Sequence, residues 1–329
     1  MIHASIGIED KFGFGDCGHV SERKRSNFVS KSNNNGEAMT RILIPIDFEK
    51  QSLLALEQSY NLGRLLDAEI VLAYVHEQSG IFSSLFSHEQ NNAMLAHIEE
   101  RLSNLATQVS SESGLKVVYR IEKGRIYSKV TELAKELSAD YIVMGTHGAS
   151  EDHEVGKRVG ANTSRVIRSA NCPVITLNER HIYNGCRNIL LPLDNTAETR
   201  QKVTIGIKMA KIYGAGIRVV SAIWSKSDNE IVGRLRQQGE QVANFIAEEG
   251  IDCTFELIES TEGERTEVPS ILNYATQLGN IDLIIILTQQ EIGIVQYFIS
   301  SSAQEFIRLS DIPVMSVIPK DLGFTTLFS

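Results

Sequence analysis

The sequence LIPID at residues 43–47 recurs as LLPLD at residues 190–194, which lies 147 positions further along the chain. Two more landmarks return in the same order, at distances of 142 and 140 positions: DYIVM (140–144) as DLIII (282–286), and CPV (172–174) as IPV (312–314). Short runs rich in β-branched residues surround these landmarks and alternate with helical patterns, which is typical of βα units and a parallel sheet. The chain is therefore predicted to be an internal duplication of one βα domain of about 140 residues.

Five strands are predicted in each half of the chain. They span 41–46, 69–75, 116–121, 141–145 and 173–177, then 188–193, 216–224, 254–258, 282–287 and 313–318. In the first half, helical patterns fill the connections at about 51–66, 89–110, 127–137 and 163–169. This pattern predicts an α/β protein of two tandem, doubly wound, Rossmann-like domains, each with a five-stranded parallel sheet. We assign domain 1 to residues 39–180 and domain 2 to residues 186–320.

The two ends of the chain lie outside the predicted domains. Residues 1–38 are rich in Gly, Ser and Asn, show no lasting apolar period and are predicted to form a flexible tail. Residues 321–329 are assigned to a C-terminal tail. The segment 13–18 (GFGDCG) matches the dinucleotide pattern Gly-x-Gly-x-x-Gly in form. No predicted strand precedes it and no helix opens within it, so we interpret it as a chance match.

Composition excludes several classes of protein. The 329 residues carry a formal net charge of -9 and are 42% hydrophobic, which indicates a globular protein that does not bind nucleic acid. No apolar run approaches the length of a membrane-spanning helix, so no membrane association is expected. Four scattered cysteines suggest neither disulfides nor zinc, and Cys172 is interpreted as a small core residue. We expect a cytoplasmic protein.

The predicted site lies beyond the carboxyl ends of the strands, where ligands bind in open parallel sheets. Asp47 closes the first strand, and the turn Gly145-Thr146-His147-Gly148 follows the fourth. The next helix opens at 160–163, where its first N–H groups and the positive end of its dipole are available to an anion. Glycine lets the backbone approach a ligand closely, so the pattern predicts a cradle for a polyphosphate.

The strings ILIPIDF (42–48), VMGTHG (143–148), GANTSRVIR (160–168) and CPV (172–174) resemble the universal stress protein family over about residues 39–319. That family is marked by Gly-x2-Gly-x9-Gly-[Ser/Thr], and many members bind ATP. The resemblance implies that Asp47 contacts the adenine or ribose of ATP, with or without Mg²⁺, and that the backbone of Val75 pairs with the adenine. It implies that the following residues line the rest of the nucleotide site: Gly145, Thr146, His147, Gly148, Gly160, Ala161, Asn162 and Thr163. It further implies that the two domains pair within the chain as a pseudo-dimer, with a homodimer as an additional possibility.

Several departures from the family pattern affect this expectation. Eleven residues separate Gly148 from Gly160 where the family has nine, and Ala161 stands where a serine or threonine is usual. Asn162 or Thr163 could supply the missing hydrogen bond to phosphate. In the second half, Leu287 and Gln290 replace the two turn glycines, so domain 2 is predicted to keep the fold without the site.

Three functions remain open at this stage. The first is a stress-type regulatory module that binds an adenine nucleotide through domain 1, with domain 2 structural. The second is a weak ATPase, although we assign no catalytic residue and no metal ligand. The third is a stress or interaction protein that binds no nucleotide.

Overall fold

The computed structural model describes residues 39–77, 88–147, 159–178, 185–193, 199–224, 228–260, 266–288 and 300–319. Its strands are β1 Arg41–Pro45, β2 Glu69–His76, β3 Lys116–Lys123, β4 Tyr141–Gly145, β5 Val174–Leu177, β6 Asn188–Pro192, β7 Gly216–Trp224, β8 Cys253–Ser260, β9 Leu283–Leu287 and β10 Val314–Val317. Its helices are α1 Lys50–Leu66, α2 His88–Ser113, α3 Ile126–Glu136, α4 Ala161–Ser169, α5 Thr199–Tyr213, α6 Asn229–Glu248, α7 Val268–Leu278 and α8 Ser301–Leu309. Every predicted strand is confirmed to within two residues at each end. The tail segments 1–38 and 321–329 lie outside the described residues.

The strands form one sheet in the order β3-β2-β1-β4-β5-β10-β9-β6-β7-β8. All neighbours inside each half are parallel, as predicted for a doubly wound α/β protein. Between the halves, β5 and β10 pair antiparallel, with Ile175 opposite Met315. The two expected five-stranded sheets are therefore joined edge to edge, which satisfies backbone groups that each β5-type edge would otherwise leave unpaired.

Helices cover both faces of this sheet. Alternate residues of a strand point to opposite faces, so Ile42 and Ile44 pack with α1 and α2 while Leu43 packs with α3 and α4. The same division holds in the second half, where α5 and α6 share the first core layer and α7 and α8 share the second. Both layers run continuously through the two halves, so the apolar period of the strands accounts for the three-layer architecture.

The strand order places the candidate site. In each half the sheet grows outward from its first strand in both directions, because β1 lies between β2 and β4 and β6 lies between β7 and β9. Leu43 pairs with Ile142, so β1 and β4 run side by side to the same carboxyl edge. Here α1 and α4 leave the sheet on opposite faces, which opens the crevice in which doubly wound proteins bind ligands. None of the described helices combines the length and hydropathy needed to cross a membrane.

Candidate functional site

The segments that follow β1 and β4 meet at the carboxyl edge of the first half. Asp47 turns the chain into α1 by accepting a hydrogen bond from the Glu49 N–H at 3.0 Å. Gln51, in the first turn of that helix, reaches across to β4, where its Oε1 accepts from the His147 N–H at 2.8 Å. The structure therefore brings the predicted residues Asp47, Gly145, Thr146 and His147 to one edge, with Gln51 as a link that the sequence analysis missed.

Gly145 is glycine because a neighbouring side chain occupies the space of a Cβ. A Cβ at this position would lie 2.7 Å from the Cβ of Gln51 and 2.9 Å from its Oε1. A larger residue would thus displace Gln51 and its bond to the His147 backbone. The glycine therefore lets Gln51 pack against the buried end of β4, where Gln51 holds the turn through the His147 N–H.

The amino end of α4 is tied directly to the end of β4. The Gly160 N–H donates to the carbonyl oxygen of Thr146 at 2.9 Å, and the Thr163 hydroxyl donates to that of Gly145 at 3.0 Å. Thr163 is buried, so its hydroxyl proton is used within the protein. Of the two residues expected to replace the missing hydroxyl at Ala161, this leaves the half-buried Asn162.

Gly160 is the N-cap of α4 and has no side chain of its own with which to cap the helix. A capping residue ordinarily accepts a hydrogen bond from one of the first N–H groups of the helix. Glycine has no such acceptor, so residue 160 does not take up the N–H groups of Asn162 and Thr163, which can be directed to an anion. This is the arrangement that the sequence predicted for the phosphate end of a ligand.

Val75 lies where a ligand could meet the backbone of β2. The Ala73 carbonyl accepts from Ile46 on the β1 side at 2.8 Å, and the His76 carbonyl accepts from Gly124 on the β3 side at 3.1 Å. Alternate residues of a parallel strand turn their backbone groups to opposite neighbours, so Val75 faces the β1 side. There β1 has already ended, and the Val75 backbone faces the space beside Asp47. This geometry is compatible with the implied pairing to adenine.

An aromatic pair flanks Asp47. Phe48 adopts a φ of 65°, which is uncommon for a bulky residue, and its ring lies 5.9 Å from that of Tyr74. The guanidinium of Arg101, on α2, stacks 3.9 Å from the Phe48 ring centroid. Burial, and then the nearby Asp47 carboxylate, raise the pKa of Tyr74. The strained turn at Phe48 is thus held by packing on both sides, as is common next to binding sites.

At the equivalent edge of the second half, residues with side chains replace Gly145 and Gly160. Leu287 replaces Gly145 and is buried, while the Ser300 hydroxyl caps α8 by accepting from the Ala303 N–H at 3.1 Å. Ala303 stands where the first half has Thr163, so the hydroxyl that ties α4 to β4 is also gone. These residues support the prediction that the second half lacks an open site.

Lys202 adds a feature that sequence reasoning missed. It lies on α5, where the first half has Ala55, and is only 2% exposed. Its ammonium donates to the carbonyl oxygen of Pro192, the last residue of β6, at 2.5 Å. The second half therefore carries a buried cation of its own at this edge. Lysine is usually exposed, so the sequence alone does not indicate that this one is buried.

Some predicted features lie outside the described residues. They are Gly148, the loop 149–158, Asp194, Gln290 and the linker 179–184. Among the residues that are described, no three His, Cys, Asp or Glu side chains come together in the way a metal ion requires. Burial raises the pKa of Cys172 and Cys186 to about 12 and that of Cys253 to about 11, so these thiols carry little thiolate at neutral pH.

The large grooves among the described residues lie elsewhere. One of about 670 Å³ runs between α2 and β3, and one of about 430 Å³ runs between α6 and β8. They occupy the two outer ends of the sheet and are lined by none of the predicted site residues. Volume alone is therefore a poor guide here, and we place the candidate site by strand topology, glycine positions and hydrogen bonding.

Comparison with known proteins agrees with this architecture. Residues 39–178 match the universal stress protein family. A universal stress protein of Methanocaldococcus jannaschii is 28% identical over 148 residues, which cover 44% of this chain and 86% of that relative. Residues 39–178 therefore form a domain of the universal stress protein family.

Solved structures extend the likeness to the fold of both halves. A crystal structure of a universal stress protein from Archaeoglobus fulgidus covers 85% of this chain and 98% of its own, with a TM-score of 0.68 at 18% identity. At that identity the likeness concerns the fold. Another universal stress protein from Archaeoglobus fulgidus, solved in complex with dAMP, is 16% identical, covers 41% of this chain and 98% of its own, and has a TM-score of 0.33. That ligand is a property of that protein.

Proposed function

We propose that this protein is a stress-type regulatory module that binds an adenine nucleotide, with ATP as the expected ligand, at the carboxyl edge of its first half. The observation that carries the proposal is the pair of positions without side chains, Gly145 and Gly160, on either side of the predicted phosphate cradle. The first lets Gln51 pack beside it and hold the turn after β4 through the His147 N–H, and the second has no side chain to take up the N–H groups of Asn162 and Thr163, which can serve an anion. The match of residues 39–178 to the universal stress protein family supports ATP as the ligand class.

The roles of the two halves form part of the same proposal. We assign ligand binding to domain 1, residues 39–180, and a structural role to domain 2, residues 186–320. The antiparallel contact between β5 and β10 supports a pseudo-dimer within one chain. On this view, occupancy of the first half changes how the paired domains meet a partner, in the cytoplasm. Magnesium would arrive with the nucleotide, held mainly by its phosphates.

The test is equilibrium binding of magnesium ATP to Gly145→Ala. A Cβ placed 2.7 Å from Gln51 must push that side chain away from the His147 N–H. We expect affinity to fall roughly tenfold or more, because a distorted site loses more than one hydrogen bond. The measurement is isothermal titration, supported by circular dichroism to confirm that the variant is folded.

Leu287→Ala is the matched control, since it changes the equivalent position of the second half. We expect it to lower the free energy of unfolding by about 2 to 4 kcal/mol through the cavity it leaves. Its ATP affinity should remain that of the unmodified chain. Equal loss of affinity in both variants would mean that ATP affinity falls whenever the protein is destabilised, whichever half is changed. Full affinity in Gly145→Ala would refute the assignment of the site.

A further inference from the structure

The two last helices of the first half, α3 and α4, begin at the same carboxyl edge and pack side by side against the sheet. Arg165, the fifth residue of α4, places its guanidinium 5.0 Å from the ring centroid of Tyr127, in the first turn of α3. Arg165 is exposed, and the described residues offer it no carboxylate partner. Stacking on an aromatic face holds a guanidinium in one place without neutralising it.

The second half reverses this charge. Glu305 is the fifth residue of α8, the same position that Arg165 holds on α4. Its carboxylate accepts a short hydrogen bond from the Thr266 hydroxyl, just before α7, and its other oxygen lies 3.5 Å from Arg308. Thus α3 and α4 are joined through an arginine and a tyrosine, whereas the equivalent helices α7 and α8 are joined through a glutamate and a threonine.

The rest of the helix does not share this reversal. Arg168 of α4 corresponds to Arg308 of α8, so both helices carry an arginine in the last turn. Within α4 and α8 the difference in charge is confined to this one position, and the N-cap of the neighbouring helix changes in the same direction, from Arg125 before α3 to Glu267 before α7. A helix N-terminus contributes only about half a positive charge, so one nearby side chain changes the local charge substantially.

From this we propose that Arg165 determines the charge of the ligand that the first half accepts, by favouring a phosphate-bearing nucleotide over the uncharged nucleoside. The inference rests on the proposed nucleotide site and names a residue that the family motif does not include. Arg165 lies one turn after the start of α4, and its stacking on Tyr127 holds its positive charge beside the start of α3, at the same carboxyl edge. Glu305 at the equivalent position makes the second edge unfavourable for an anion, independently of Leu287.

The test compares ATP with adenosine as ligands of the full chain and of Arg165→Glu, which reproduces the second half. We expect the dissociation constant for ATP to rise roughly tenfold or more on this reversal of charge. The constant for adenosine should stay within about twofold, because adenosine carries no charge to attract or repel. Arg165→Gln should also reduce the preference for ATP over adenosine, but by a smaller factor. This variant keeps the test decisive if Arg165→Glu folds poorly.

Arg168→Glu is the matched control, with the same change of charge on the same helix one turn further from its amino end. It should raise the ATP constant by no more than about twofold at physiological salt, where screening acts over about 8 Å. Equal weakening of ATP and adenosine by Arg165→Glu would show a structural role and overturn the inference, as would unchanged selectivity. If the unmodified chain binds neither ligand, the proposed function fails and the inference fails with it.

Discussion

The strands β4 and β9 occupy equivalent positions in the two halves, but the residues at their carboxyl ends differ. At the first, Gly145 and Gly160 leave the end of the strand and the start of α4 without side chains. At the second, Leu287 and Ser300 fill both positions, and the serine takes up a helix donor. The strands and both core layers continue through the two halves, so a duplicated fold can lose a site through changes at the ends of its elements alone.

The reason is that the core and the site depend on different residues. Burial along a strand follows a period of two and tolerates exchanges among Val, Ile and Leu. A site at the strand ends depends on single positions where the backbone must be reachable or a donor must be available. Ala55 and Lys202 show the same separation of roles. Both are buried at equivalent positions, on α1 after β1 and on α5 after β6, yet only Lys202 brings a charge to the carboxyl edge.

After Leu287→Ala, the largest effect on stability is expected from Lys202→Met. This change keeps a long, unbranched side chain and removes the donor to the Pro192 carbonyl, which is buried with it. A buried acceptor left without its donor costs about 1 to 3 kcal/mol, so the free energy of unfolding should fall by about 2 kcal/mol. Chemical denaturation followed by circular dichroism measures it.

Lys208→Met, on the exposed side of the same helix, is the control and should change stability by less than about 0.5 kcal/mol. Neither variant should alter ATP affinity, because the binding site is assigned to the other half. If Lys202→Met leaves stability unchanged, the buried cation has no structural role. If it creates a second ATP site, the lysine itself was what closed that edge.

A smaller effect is expected from Gly160→Ser, which gives α4 the cap that α8 has. Gly160 has a φ of -53°, a conformation that any residue adopts, so serine fits without strain. Its hydroxyl should accept from a first-turn N–H and stabilise the helix by a few tenths of a kcal/mol. Because that donor is then no longer available to phosphate, ATP affinity should fall by about fivefold.

The reciprocal exchange, Ser300→Gly, sharpens the comparison. It should lower stability by a few tenths of a kcal/mol and leave the ATP constant unchanged. Thermal unfolding and titration calorimetry on the same preparations give both quantities. A serine at position 160 that raises ATP affinity would mean that a side-chain hydroxyl contacts the phosphates directly, and that the N–H groups of Asn162 and Thr163 are not the binding groups.

Much of the fold could be predicted from sequence because its signals are local. Runs such as 141–145 and 283–287 are short, apolar and bounded by breakers, which identifies buried parallel strands. The positions of Asp47 and Gly145 at the site followed from the same reasoning, since ligands gather where strand order reverses. The resemblance implied that the two halves pair, but it did not indicate that they do so through β5 and β10. The sequence of an edge strand does not indicate which strand it will pair with.

The remaining surprises depend on tertiary contacts. Thr163 reads as a phosphate ligand in the motif, yet its hydroxyl is turned inward to the Gly145 carbonyl. The role of Gln51 depends on the crossing of α1 over β4, and the reversal from Arg165 to Glu305 becomes meaningful only when their partner helices are known. Such contacts join residues far apart in the chain, so no local pattern signals them.

The central claim is that one edge of this duplicated sheet is open to an adenine nucleotide and the other is closed. The most direct measurement is the number of ATP molecules bound per chain at saturation, by titration calorimetry with magnesium present. The account predicts one equivalent, lost in Gly145→Ala and retained in Leu287→Ala. Two equivalents would show that the second edge is open, and no saturable binding at millimolar ATP would contradict the assignment of the first.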